Sequence, residues 1–280
     1  MFVYMSIVVL SVLFTSYACI EELLFSSWYK ALLVIPIFLG CYLVLTALFF
    51  LVIFLVSLTV NKQKPQVKTN HFFRWLLNQT NVLILILGRV KIKSSGLEKL
   101  EGLPPFLLVA NHRSNFDPFI ALKCCPKAKL AYIAKPEIFD IPITGAVVHK
   151  CFFLSLDRED VRKGAETIKQ AAELLKEGIV SIGIYPEGTR SKTGELLPFR
   201  NGSFKVAKLA NAPIVIARTT GTEKIAHRFA RKRTVVTFEI LDVLDATQVA
   251  SMSTWDIGEY TRNKILDGVL QKPLEERRAK

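Results

Sequence analysis

Residues 106–118 read Phe-Leu-Leu-Val-Ala-Asn-His-Arg-Ser-Asn-Phe-Asp-Pro. Five apolar residues of strand length run into a polar loop, and Pro118 opens a second apolar run, so the stretch reads as a strand end, a loop and a helix start. His112 and Asp117 have four residues between them. On one continuous helix they would point well apart, so a pairing between them requires a turn before Pro118. The same residues also read as a plain helix N-terminus, with Asp117 as the cap and proline at the first helical position. Taken alone, the loop does not choose between catalytic pair and cap.

Outward from this stretch, apolar runs of strand length recur at 106–110, 130–134, 151–156, 179–185 and 213–218. Between two of them, Asp160 to Gly178 is amphipathic, with Val161, Ala165, Ile168, Ala172 and Leu175 at helical spacing and Gly178 as a C-cap. Strand, helix, strand in that order predicts an α/β fold with a mainly parallel sheet flanked by helices. Thr234 to Val243 adds a β-rich run, and Thr254 to Leu270 a final helix.

The N-terminal part is different in kind. Met1 to Ile20 is apolar or small and just long enough to cross a bilayer core, and Ala31 to Val60 has no charged residue. Thirty helical residues extend about 45 Å, so the second span must tilt, kink near Pro36 or reach the interface. Glu21 and Glu22 lie between the spans and Lys62, Lys64 and Lys68 follow them, which places everything after residue 60 in the cytoplasm; two helices dipping into one leaflet satisfy the same pattern. A third cluster, Phe72 to Gly88, is interrupted by Arg74, Asn78, Gln79 and Asn81 and suits an interfacial helix. The expected organisation is a membrane region over 1–60 with two hydrophobic helices, an interfacial helical segment over 61–90, and a cytoplasmic α/β domain over 91–280. The expected protein is thus a multi-pass membrane protein with its α/β domain on the cytoplasmic side.

The chain has 280 residues, 51% of them hydrophobic, and a net charge of +13, with a pI near 9.6. That is too apolar for a disordered or fibrous protein, and the basic excess favours anionic partners such as lipid phosphates. Cys19, Cys41, Cys124, Cys125 and Cys151 have neither metal-ligand spacing nor a disulfide framework, which fits a reducing compartment. No aromatic and basic residues interleave on a nucleic-acid module, so no nucleic-acid partner is expected.

Three further stretches place polar chemistry next to an apolar run, where open α/β sheets bind ligands. In Phe153-Leu154-Ser155-Leu156-Asp157-Arg158, the arginine either grips a phosphate or pairs with a neighbouring carboxylate. Tyr185-Pro186-Glu187-Gly188-Thr189-Arg190-Ser191 offers a carboxylate, a glycine, hydroxyls and a guanidinium, suited to phosphate or polyol recognition or to a surface turn. Pro213, Ile214 and Val215 open a run that reads as a core strand or as the wall of an acyl channel.

These four blocks, in this order and spacing, resemble those of the PlsC-like glycerolipid acyltransferases, most closely the 1-acylglycerol-3-phosphate acyltransferases. The resemblance covers roughly residues 90 to 250. It implies a membrane-bound O-acyltransferase that moves a fatty acyl group from acyl-CoA or acyl-carrier protein to lysophosphatidic acid, forming phosphatidic acid. His112 is then the general base and Asp117 its orienting partner. Arg158, Glu187, Gly188, Thr189 and Arg190 hold the acceptor's glycerol phosphate, Lys135 assists, and Pro213, Ile214 and Val215 line the acyl channel. No metal or cofactor is implied beyond the acyl donor, and the partners are the bilayer, a lysophospholipid and that donor. Tyr185 departs from the family's usual phenylalanine, and Leu154 and Leu156 stand where isoleucine is common, which leaves the acceptor less certain.

Related enzymes acylate glycerol 3-phosphate, other lysophospholipids or aminolipids through the same blocks. Two rivals from other classes remain. One is a non-enzymatic binder of anionic lipid using Arg228, Arg231, Lys232 and Arg233. The other is a thiol hydrolase pairing Cys124 or Cys151 with His112.

Overall fold

Strand order organises the α/β part of the molecule. The computed structural model describes residues 2–21, 32–156, 160–191 and 193–270. Seven strands form one sheet in the order β1-β7-β6-β2-β5-β3-β4: β1 (Val90–Ser95), β2 (Leu107–Ala110), β3 (Ala131–Ala134), β4 (Leu154–Ser155), β5 (Ile182–Ile184), β6 (Ile214–Thr220) and β7 (Thr234–Leu244). Every neighbouring pair is parallel except β6 with β7. The mainly parallel sheet read from the sequence is therefore present, with β1 and β7 running against the other five.

Central strands are buried on both faces, which is why β2 reads as an uninterrupted apolar run. Leu107, Val109, Ile182, Ile184, Ile214 and Ile216 build one core. Leu108, Ala110, Val215, Ala217, Val236 and Phe238 build the other. Numbering the described helices in chain order, α1 (Phe2–Glu21) and α2 (Val34–Leu58) precede α3 (His71–Leu87), which packs on α4 (Asp117–Cys124) against the second core. α5 (Glu137–Asp140) and α6 (Thr144–Lys150) follow β3. On the first core lie α7 (Val161–Lys176), α8 (Lys205–Ala210) and α11 (Thr254–Leu270). Two short helices, α9 (Ile225–Arg228) and α10 (Ala246–Ser251), flank β7.

The chain divides into two compact units, Met1–Lys64 with Ile141–Ala146, and Pro65–Asp140 with Val147–Lys280. In the first, α1 packs on α2. α2 is the one described helix long and apolar enough to cross a bilayer, while Met5–Ile20 is a shorter apolar stretch. In the second, α3 buries Phe73, Leu76, Asn81 and Leu85. Its Arg74 donates to the carbonyls of Leu130 (2.7 Å) and Cys151 (3.0 Å), so this helix is fastened to the sheet as well as apolar outside.

α7 starts where Asp160 accepts from the Arg162 and Lys163 amides. It ends at Gly178, whose φ of +71° lets the Gly178 and Ile179 amides reach the Leu175 and Leu174 carbonyls. One position of its apolar face was misread. Ala165 is exposed, and Thr167 is buried in its place, donating to the carbonyls of Ser155 and Lys163 (both 3.0 Å). The run 151–156 also yields only two strand residues, because α6 extends to Lys150 and a turn with Phe152 at φ +65° follows.

Candidate active site

The strands β2 and β5 end side by side, and the site grows from their last residues. Asn111, directly after β2, donates to the Thr219 carbonyl (2.9 Å) and accepts from the Thr219 amide (2.8 Å), which pins the loop to β6. The next residue, His112, is then held above the sheet edge with its side chain 17% exposed. Its Nδ1 lies 2.8 Å from Oδ2 of Asp117, whose side chain is wholly buried.

Asp117 is the first residue of α4, not its cap. Its carboxylate turns back and accepts from the Arg113 amide (2.7 Å) and the Ser114 amide (2.8 Å) through Oδ2, while Thr222 Oγ1 donates to Oδ1 (2.5 Å). These donors engage both oxygens of the buried carboxylate and fix its orientation. With Asp117 accepting, the Nδ1–H tautomer of His112 is favoured and Nε2 is left as the free basic nitrogen. The capping reading is thus corrected: the carboxylate serves the loop and the imidazole instead of the helix amides.

The ring of His112 is stacked on Tyr185, centroids 4.2 Å apart and planes within 14°. Tyr185 in turn stacks on Tyr132 at 5.7 Å and 8°. Tyr132 has room because β5 carries Gly183 beneath it; a Cβ there would meet the Tyr132 ring at 2.3 Å. Burial pushes both phenol groups above their ordinary range, so they stay neutral.

Glu187 closes the site from below. It is 4% exposed, and its carboxylate accepts from the His112 amide (2.6 Å) and the Leu197 amide (2.9 Å). Burial raises its pKa, and the two amides act in the opposite direction. The Ser191 amide donates to the His112 carbonyl (2.9 Å), giving the loops a second tie.

Comparison with known proteins gives the geometry a family. The family model Acyltransferase matches residues 91–218. Residues 91–218 form an acyltransferase-family domain. The chain is 37% identical over 133 residues to a chloroplastic 1-acyl-sn-glycerol-3-phosphate acyltransferase of Brassica napus, covering 46% of this chain and 38% of the relative. To the 1-acyl-sn-glycerol-3-phosphate acyltransferase of Saccharomyces cerevisiae it is 27% identical over 203 residues, covering 70% and 66%. The chain thus spans well under half the length of the plant relative. The crystal structure of the 1-acyl-sn-glycerophosphate (LPA) acyltransferase PlsC from Thermotoga maritima shares the fold, with a TM-score of 0.58 at 22% identity, covering 83% of this chain and 90% of that one. The resemblance carried by the four sequence blocks is borne out.

Within the acyltransferase domain, the anticipated site residues separate. His112, Asp117, Glu187 and Gly188 come together. Glu187, read from the sequence as an acceptor contact, is committed to two amides and faces inward, so it props the Asn111–Asp117 loop. Gly188, at φ +68°, closes a turn by donating to the Tyr185 carbonyl, and its missing Cβ leaves room for Arg200, whose Nε such an atom would meet at 2.8 Å. Thr189 and Arg190 are exposed on the same turn, and Lys135 is exposed where β3 ends. Arg158 lies outside the described residues.

Pro213, Ile214 and Val215, read as a core strand or as the wall of an acyl channel, lie at the start of β6. They are buried where β6 begins, opposite Leu107, with Ile214 in one core and Val215 in the other. Pro213 is four residues and Val215 two residues before Ala217, which pairs with Ala110 beside the site, or roughly 13 Å and 7 Å away along the strand. The sheet's own packing uses these side chains up. A groove of about 720 Å³, lined in part by Leu97, Pro105, Cys124 and Gly178, lies at that same far pole.

Thr222 and Arg113 carried no expectation. Thr222 stands 105 positions from Asp117 in sequence, and it is brought there because β6, which ends two residues before it, lies next to β2 in the sheet. Arg113 sits inside the motif, with Nε 3.6 Å from Glu223 and its guanidinium against Gly194. Tyr185 was noticed as a departure from phenylalanine without a role; its position directly after an apolar strand was the available signal.

Proposed function

We propose that this protein is a membrane-bound acyltransferase that transfers a fatty acyl group from a thioester donor, acyl-CoA or acyl-carrier protein, to the free hydroxyl of lysophosphatidic acid. The observation that carries this reading is the His112–Asp117 pair, 2.8 Å apart, in a loop tied through the His112 carbonyl to Ser191, next in sequence to the exposed Thr189 and Arg190. The names of the curated relatives support the choice of acceptor.

In this mechanism His112 Nε2 takes the proton from the acceptor hydroxyl while Asp117 stabilises the imidazolium formed. The hydroxyl oxygen bonds to the thioester carbonyl carbon, giving a tetrahedral oxyanion. Its collapse breaks the C–S bond, and the imidazolium returns the proton to the departing thiolate. The products are the new ester and the free thiol, so no enzyme nucleophile is consumed. Thr189 and Arg190, with Lys135 nearby, are read as the contacts for the acceptor phosphate. α2 is read as the membrane anchor, with the site on the cytoplasmic side.

The test is transfer of labelled acyl groups from acyl-CoA to lysophosphatidic acid by the purified full chain, with glycerol 3-phosphate and other lysophospholipids in parallel. Phosphatidic acid as product, lost in His112→Ala, is the expected result. Undiminished turnover in His112→Ala overturns the mechanism, and product from another acceptor alone overturns the substrate.

A further inference from the structure

The connection that supplies Thr222 to Asp117 continues into the most basic exposed stretch of the domain. From Lys224 to Arg233 the chain carries five lysines and arginines and no carboxylate. Lys224, Arg228, Arg231, Lys232 and Arg233 are all exposed, and among the described residues none pairs with an acidic group. A cation cluster left unpaired on a folded surface is a binding surface for anions.

Its neighbours have a different chemistry. The end of α3 lies alongside: Arg89 donates to the Arg231 carbonyl (3.2 Å) and accepts from the Thr234 amide (3.1 Å) through its own carbonyl. A Cβ on Gly88 would meet Phe229 at 3.3 Å. This brings Ile86 (54% exposed) and Leu87 (49% exposed) beside the arginines, and Val235 (47% exposed) follows them on β7. Exposed aliphatic side chains set among unpaired cations fit a bilayer interface, where apolar groups enter the headgroup boundary and basic groups meet lipid phosphates. A soluble polyanion offers nothing to the aliphatic members.

The patch is also beside the site. Phe229 lies 6.1 Å, ring to ring, from Phe116, the residue before Asp117, and Glu223 faces Arg113 at 3.6 Å. We propose that the surface formed by Ile86, Leu87, Arg228, Arg231, Lys232 and Arg233 docks onto an anionic bilayer surface, setting the mouth of the His112–Asp117 site at headgroup level. This inference does not require the acyl-transfer reading, because its test is read without turnover.

The full chain is reconstituted in nanodiscs of phosphatidylcholine, with or without phosphatidylglycerol. An environment-sensitive fluorophore is placed at Leu87→Cys, or at Glu177→Cys at the far pole of the sheet, and the unsubstituted protein is treated alike to measure background labelling. Brominated lipid is the quencher. The expected result is strong quenching at position 87 in discs containing phosphatidylglycerol, weaker quenching in neutral discs or high salt, and little at position 177. Replacing Arg228, Arg231, Lys232 and Arg233 with glutamine should bring position 87 down to the neutral-disc value. The wild-type lipid and salt series stands by itself if the quadruple variant misfolds. Quenching at position 87 that is indifferent to lipid charge and salt, or equal to that at 177, overturns the proposal. So does a quadruple variant whose KM for soluble acyl-CoA rises while the fluorophore is unmoved, which would assign the patch to the donor.

Discussion

The imidazole of His112 lies flat against the phenol ring of Tyr185, 4.2 Å between centroids. One edge of the imidazole is fixed by Asp117 and one face by Tyr185, so the direction of Nε2 is set by two contacts at right angles. A positive charge on the imidazole is also favoured by the aromatic face. Tyr185→Leu is therefore expected to lower kcat about tenfold, because the imidazolium loses support. Tyr185→Phe keeps the face and should behave like wild type. Equal loss in both variants would mean that the hydroxyl, and not the stack, matters.

Thr222→Val removes the donor to Asp117 Oδ1 without changing side-chain shape much. Hydrogen bonds to charged groups contribute roughly 1.5–3 kcal/mol, so a fall in kcat of about tenfold or more is expected, with Thr222→Ser largely restoring it.

Gly183→Ala puts a methyl group into the Tyr132 ring from the centre of the sheet. Overpacking of this kind costs about 1–3 kcal/mol, which a thermal melt should register as a drop of several degrees. Activity should fall further than stability, because Tyr132 supports Tyr185 and hence the plane of His112.

Glu187 titrates above its ordinary value because it is buried. Its folded form holds a proton more tightly than the unfolded chain does, so this contribution to stability is fully present below the unfolded pKa and is lost as pH rises through the folded one. Glu187→Gln removes that dependence. The gap in melting temperature between wild type and Glu187→Gln should shift against wild type as pH rises through this window. Activity should also fall, since an amide cannot accept from both the His112 and Leu197 amides.

Cys124 and Cys125 are pushed up to about 12 and Cys151 to about 11 by burial. Thiols held so far above neutral are poor nucleophiles. Treatment with iodoacetamide at neutral pH should leave activity unchanged, and rapid loss by alkylation of Cys124 or Cys151 would revive the thiol-hydrolase reading.

Local signals carried most of the fold. β2, β3, β6 and β7 fall where short apolar runs stand, and α7 and α11 where helical periodicity and capping residues agree. β1 was missed because Lys91, Lys93, Ser94 and Ser95 on an edge strand give little apolar pattern. Within the site, His112 and Asp117 were legible because a loop of five steps joins them. Thr222 was not, since its relation to Asp117 depends on strand order. Glu187 was legible as a motif residue, but its backbone partners were not, because amide donors carry no signature in sequence. The Pro213–Val215 stretch was read functionally by position in a motif, whereas its depth in β6 follows from sheet packing alone.

The single reversal of direction in the sheet, between β6 and β7, has a wider effect than strand geometry. Had β7 followed β6 in parallel, its connection would have left Asp117 after its first residues and crossed to the far pole, and the basic residues 228–233 would not lead back into a strand beginning beside the site. The hairpin instead makes one span of chain answer to two masters: its first residues hold the Asp117 carboxylate, and its remainder meets whatever lies outside. A disturbance at the surface of this span is thus mechanically adjacent to the base, and a few residues inserted after Gly221 would loosen both together while leaving the sheet intact.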